Sequence, residues 1–272
     1  MPLTLMAVHA HPDDEAIGTG GTLARYADAG VRTVLVTCTN GELGDAPGGV
    51  KPFEAGHDEQ EVAALRQREL EESCRVLGVT HLERLGYHDS GMMGWPSNDA
   101  PDAFWQVPVE EPAERIAALL ERYRPQVVVT YDENGFYGHP DHIQAHRATM
   151  AAVRATGIPD KTYYTAIPRS AIAGFAELLR SHGVEPPEAI ADQPEFGTPD
   201  DEISAVVYCA AVAGRKFDSL LAHGSQAENI FFLQLGRELF AELFRFEAYV
   251  RVLDRTGAPV PEADLFAGLR EP

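Results

Sequence analysis

Short apolar runs alternate with amphipathic stretches along the first 165 residues, and this alternation sets the expected elements. The run at 3–8 (LTLMAV) predicts a buried strand that stops at His9-Ala10-His11-Pro12, where proline disfavours continuation. Apolar positions Ile17, Leu23, Ala24 and Ala27 then predict a helix over 15–29, closed by Gly30 and followed by a buried strand at 31–37. After an irregular stretch at 40–57 comes a charged amphipathic helix, 58–77, and a strand near 81–85. A second irregular stretch, 87–109, carries both tryptophans. A helix at 111–123, a strand at 126–130 (QVVVT), a helix at 141–155 and a strand at 161–166 complete this part. Beyond it the pattern predicts helices at 169–181 and 215–222, with strands at 205–209 and 243–253.

Strands alternating with helices predict an α/β fold: a mostly parallel, Rossmann-like sheet flanked by helices on both faces. No internal repeat or linker divides the chain, so residues 1–272 are expected to form one domain. Residues 1–165 would be its metal-binding core, and a smaller α/β portion, 166–272, would complete the fold and the substrate pocket. Ligands of such sheets bind at the carboxyl ends of the strands, which directs attention to the loops after Val8 and Thr130.

Composition narrows the partners. Lys and Arg number 22 against 42 Asp and Glu, giving a formal net charge of -20. With no basic run to track phosphates, nucleic acid is not an expected partner. Nor is a membrane, because no apolar run is long enough to span one. Three cysteines, Cys38, Cys74 and Cys209, form no close pair, and with no export signal at the N-terminus they fit a reducing cytoplasm.

The two loops carry the chemistry. The first reads His11-Pro12-Asp13-Asp14-Glu15. His11 and Asp14 are three apart at a strand-to-helix turn, so both side chains can serve one divalent ion, with Asp13 beside it. The plainer reading is that the three acids cap a helix N-terminus. The second loop holds Tyr137-Gly138-His139-Pro140-Asp141-His142, with His146 one turn on. If strands one and four are neighbours, His142 can complete a His-Asp-His site. Alone, these histidines read as a solvated helix start. A His142–His146 ligand pair is the competing metal reading, but it lacks the glutamate that follows the first histidine in helical zinc sites. Gly18-Thr19-Gly20-Gly21 does not directly follow a strand and is assigned to helix packing, and Cys38 to the core.

His-Pro-Asp-Asp-Glu after strand one, paired with Gly-His-Pro-Asp-His after a later strand, resembles the PIG-L/LmbE-like zinc de-N-acetylases over at least residues 3–150. The resemblance implies a hydrolase that removes an N-acetyl or other N-acyl group from an amino sugar or N-acetylglucosaminyl glycoside. It makes His11, Asp14 and His142 ligands of Zn2+, or of another divalent ion such as Fe2+, and Asp13 the general base. His139 would stabilise the oxyanion, Asp141 would orient His139, and Tyr137 would polarise the substrate carbonyl. Arg66 and Asp89 would bind the sugar. An amidase of larger amides, such as mycothiol-type S-conjugates, is the nearest alternative, and a non-catalytic sugar-binding module a more distant one. Ala222-His223-Gly224-Ser225-Gln226 also resembles a family segment, but His223 is left outside the metal site.

Overall fold

The structure is a computed structural model, and it describes residues 2–185, 197–226 and 231–270. Seven strands form one sheet in the order β3-β2-β1-β4-β5-β7-β6. Strands β1 (Thr4–His9), β2 (Arg32–Thr39), β3 (His81–Tyr87), β4 (Val127–Thr130) and β5 (Lys161–Ala166) are parallel. Strand β7 (Phe246–Asp254) joins β5 antiparallel, and β6 (Ala205–Tyr208) pairs with β7 at the edge. The expected α/β class is therefore observed, with the antiparallel strands supplied by the C-terminal portion.

Residues of β1 alternate between two cores, which explains why Leu5 to Val8 are apolar without a break. Leu5 and Ala7 pack with Leu23, Leu70 and Leu77 on one face of the sheet. Met6 and Val8 pack with Ile116, Leu120, Ala145 and Ala148 on the other. The first face is covered by α2 (Gly20–Asp28) and α3 (Glu59–Leu77), the second by α4 (Glu110–Tyr123) and α6 (Pro140–Thr156). Asp58 caps α3 by accepting from the Gln60 and Glu61 amides, and Gly78, at φ 77°, closes it.

The expected helix over 15–29 is split at Thr19 into α1 (Asp14–Gly18) and α2. The break lets the first amides of α2 face a buried carboxylate: Glu247 of β7 accepts from Gly21 and Thr22, both at 2.8 Å. Lys216 of α8 (Ala213–Ala222) is paired with the same carboxylate. A Cβ on Gly21 would lie 2.7 Å from Cys209. These glycines thus serve packing, and the anion at this helix N-terminus is the protein's own. Among the described α-helices, the single turn α5 (Gly135–Gly138) and α9 (Gly236–Leu243) have no counterpart in the sequence pattern. Helix α7 (Arg169–Ser181) lies where expected.

Strand β1 is flanked by β2 on one side and β4 on the other, so the chain reverses its winding direction there. At this switch point the loops after β1 and β4 open side by side. Their adjacency is what a metal site shared between His11 and His142 requires.

Candidate metal centre

His11, Asp14 and His142 meet at this edge. Asp14 Oδ2 lies 3.3 Å from His11 Nδ1, and Asp14 Oδ1 lies 3.4 Å from His142 Nε2. Donor atoms about 2.0–2.2 Å from one tetrahedral ion stand roughly 3.3–3.5 Å apart, so the spacing suits a common ligand set. One ring nitrogen from each of His11, His139 and His142 also falls within 4.8 Å of the others.

The remaining ring atoms determine which nitrogens face that point. His142 Nδ1 is 3.2 Å from the Gly135 carbonyl, and Nε2 is buried without a hydrogen-bond partner among the described residues. A buried imidazole nitrogen without a partner is costly unless something absent from the polypeptide fills its lone pair. His11 Nε2 lies 3.1 Å from Asp141 Oδ2 and 3.6 Å from Asp89 Oδ1, leaving Nδ1 toward Asp14. A carboxylate behind a ligating imidazole is the usual outer support of a metal-binding histidine. The donor set therefore fits a divalent ion.

Asp14 is held rigidly. Its Oδ2 accepts from the His11 amide at 2.8 Å and from the Tyr131 hydroxyl at 2.7 Å. Tyr131 in turn accepts from the Ala10 amide at 2.9 Å and stacks on His142, with centroids 4.2 Å apart. Burial, reinforced by the Asp14 charge, raises the Tyr131 pKa and keeps the phenol a donor. Burial opposes charge on Asp14, but His142 and His11 outweigh it and hold the carboxyl well below its usual range.

Asp13 stands beside this set at φ 113°, ψ -27°. That left-handed conformation costs a non-glycine residue on the order of 1–3 kcal/mol and persists only where surrounding contacts impose it. Arg66, expected to contact a sugar, lies against this residue. Its guanidinium donates to Asp13 Oδ2 at 2.9 Å, to the Gly41 carbonyl at 2.8 Å and to the Pro12 carbonyl, and the residue is buried. Arg66 thus grips the loop that carries Asp13.

His139 is the N-cap of α6, and its Nδ1 accepts from the Asp141 amide at 3.2 Å. Nε2 must then carry the ring proton. Burial, with the neighbouring His11 and His142, depresses its pKa to about 2, so it is neutral at physiological pH. Asp141 differs from expectation: its carboxylate faces His11 and the Ser90 amide (2.9 Å), and only its backbone N–H reaches His139.

Asp89 is buried, with Oδ1 accepting from the Gly91 amide at 2.8 Å. Tyr137, on α5, is half exposed, its ring 5.1 Å from that of His142. His146 is not in the histidine group that meets here; its Nδ1 lies 2.9 Å from the Tyr131 carbonyl and its ring packs beside Tyr164. Cys38 is fully buried in the core, and burial pushes its thiol pKa up. Tyr131 and Ser90 were not anticipated. The one available signal for Tyr131 was its position at the end of the most apolar strand, where a buried phenol has to find a partner.

The description GlcNAc-PI de-N-acetylase belongs to the PIG-L family model, which matches residues 6–153. A 1D-myo-inositol 2-acetamido-2-deoxy-alpha-D-glucopyranoside deacetylase of Acidothermus cellulolyticus is 43% identical, with 99% of this chain and 96% of that protein covered. A protein of the same name from Thermomonospora curvata is 41% identical, covering 97% and 96%. Among solved structures, the N,N'-diacetylchitobiose deacetylase from Pyrococcus horikoshii superimposes with a TM-score of 0.57 at 19% identity, over 92% of this chain and 83% of that one. At that identity the likeness concerns the fold.

Proposed function

Because the chain belongs to the PIG-L family of de-N-acetylases, we propose that this hydrolytic deacetylase acts on 1D-myo-inositol 2-acetamido-2-deoxy-alpha-D-glucopyranoside, releasing acetate and the free amine. The meeting of His11, Asp14 and His142 at adjacent strand ends, with Asp13 alongside, is the observation that carries this reading. His11 Nδ1, Asp14 and His142 Nε2 would hold the ion, taken to be zinc. When bound, zinc would supply a Lewis acid that acidifies water and polarises the amide oxygen.

The protein's own residues account for the rest. Asp13 has one oxygen held by Arg66, so the other accepts the proton of the attacking water. As that water's oxygen bonds to the acetyl carbon, the neutral His139 donates its Nε2–H to the developing oxyanion. Asp13 then passes its proton to the nitrogen, the C–N bond breaks, and the amine departs. Tyr137, on its exposed turn, closes over the carbonyl, and Asp89 receives a sugar hydroxyl. No described helix is long and apolar enough to cross a membrane, in keeping with a small, water-soluble glycoside as substrate.

Acetate release from the inositol glycoside tests the proposal. Asp13→Asn should lower kcat by about 10²–10⁴-fold while keeping its metal, whereas His11→Ala and His142→Ala should lose both. Full turnover by Asp13→Asn, or preferred cleavage of a larger cysteinyl-glucosamine amide, would overturn it.

A further inference from the structure

The Ala222–Gln226 segment lies far from β1 in sequence, yet its histidine ends beneath the loop after that strand. His223 is fully buried, and its Nε2 lies 2.7 Å from Glu15 Oε1. Among the described residues its ring has no other hydrogen-bond partner, and Nδ1 is buried without one. Glu15 is likewise fully buried. Its Oε1 also accepts from the Ser73 hydroxyl of α3, and its Oε2 accepts from the backbone N–H of Asp13 at 3.0 Å. The amide so held belongs to the residue with φ 113°.

A buried carboxylate and imidazole are costly to place without partners, and here each is directed at the other. Neither reaches the metal ligands through its side chain. Among the described residues, the hydrogen bond that joins this pair to the reactive side comes from the Asp13 amide. Arg66 separately grips the Asp13 carboxylate. Main chain and side chain of Asp13 are thus fixed by separate buried contacts, and the left-handed turn that aims it depends on both.

We infer that His223, acting through Glu15, is a positioning residue for Asp13, so that the C-terminal portion of the chain sets the aim of the general base. The inference rests on the assignment of Asp13 as that base. A base misplaced by an ångström loses rate while substrate and metal still bind.

The experiment uses the full-length, metal-loaded protein and its His223→Ala, His223→Gln and Ser73→Ala variants, assayed on the inositol glycoside. His223→Ala should lower kcat by about 10- to 100-fold, with KM within about twofold and metal content unchanged. His223→Gln, whose amide can still donate to Glu15, should recover part of kcat. Hydrogen–deuterium exchange in the peptide covering 11–19 should accelerate in the alanine variant, a change independent of turnover. If His223→Ala does not fold, Ser73→Ala should show the same kcat-selective loss at smaller size. Unchanged kcat, or a loss carried by KM or by metal content, would overturn the inference. Full turnover in Asp13→Asn would instead remove the reading beneath it, which keeps the two failures distinct.

Discussion

Asp141 Oδ2 lies 3.1 Å from His11 Nε2, on the edge of the ring opposite the nitrogen that faces Asp14. The contact fixes the ring's orientation and adds negative charge behind it, which strengthens Nδ1 as a donor to a cation. Asp141→Asn keeps the shape but removes the charge. Metal affinity should fall by about 10- to 100-fold, measured by competition with a chelator. An unchanged affinity would mean that the carboxylate is incidental to the centre.

Tyr131 holds two loops together through one oxygen. Tyr131→Phe keeps the stacking on His142 but leaves the Ala10 amide unpaired and removes one of the bonds to Asp14. A buried donor without a partner costs about 1–3 kcal/mol. Urea unfolding of the metal-free protein should show that loss, and metal binding should weaken alongside it. Equal stability of the two proteins would show that the Ala10 amide finds another acceptor.

Gly135 occupies φ 61°, and a Cβ there would lie 2.7 Å from the His142 Cβ and 2.8 Å from the Ile143 amide nitrogen. Both close atoms belong to the start of α6, so neither can swing away as a flexible side chain would. Gly135→Ala should displace His142 and abolish stoichiometric metal binding while leaving far-ultraviolet circular dichroism unchanged. Retained stoichiometry, read by elemental analysis after dialysis, would argue that α5 can shift without disturbing the centre.

The alternation of apolar runs was enough to place the strands, most plainly β1, β2 and β4, which are buried on both faces and read as blocks. The ligands were legible for a different reason: His11, Asp14 and His142 carry rare chemistry at strand ends, and their expected convergence needed only β1 and β4 to be neighbours. What escaped was set by tertiary contacts. The split at Thr19 depends on Glu247, which lies more than 220 residues away. Asp141 and Arg66 point where packing leaves room, and neither direction follows from spacing along the chain. His223 gave a sequence signal, but its partner Glu15 looked like one of three acids at a helix start.

The acid limb of stability provides a test far from the metal. Asp264 lies in the C-terminal segment. Its Oδ1 accepts from the buried Tyr26 hydroxyl at 2.7 Å and from the Phe266 amide at 3.0 Å, and its Oδ2 accepts from Arg270 Nε at 2.8 Å. Burial opposes ionisation, but these donors, Arg270 foremost, outweigh it and lower the pKa. A carboxyl whose folded pKa is depressed stabilises the fold fully above its unfolded value, about 3.9, and loses that contribution as pH falls through the folded value. Asp264→Asn should therefore be less stable than the parent by about 1–2 kcal/mol at neutral pH. As pH falls through the depressed folded value the two should converge, because the parent carboxyl then becomes protonated as well. Denaturant midpoints followed from pH 7 downward measure the gap directly. A gap that stays constant across this range would show that Asp264 acts through neutral hydrogen bonds, with its charge contributing nothing to the anchoring of the C-terminal segment against α2.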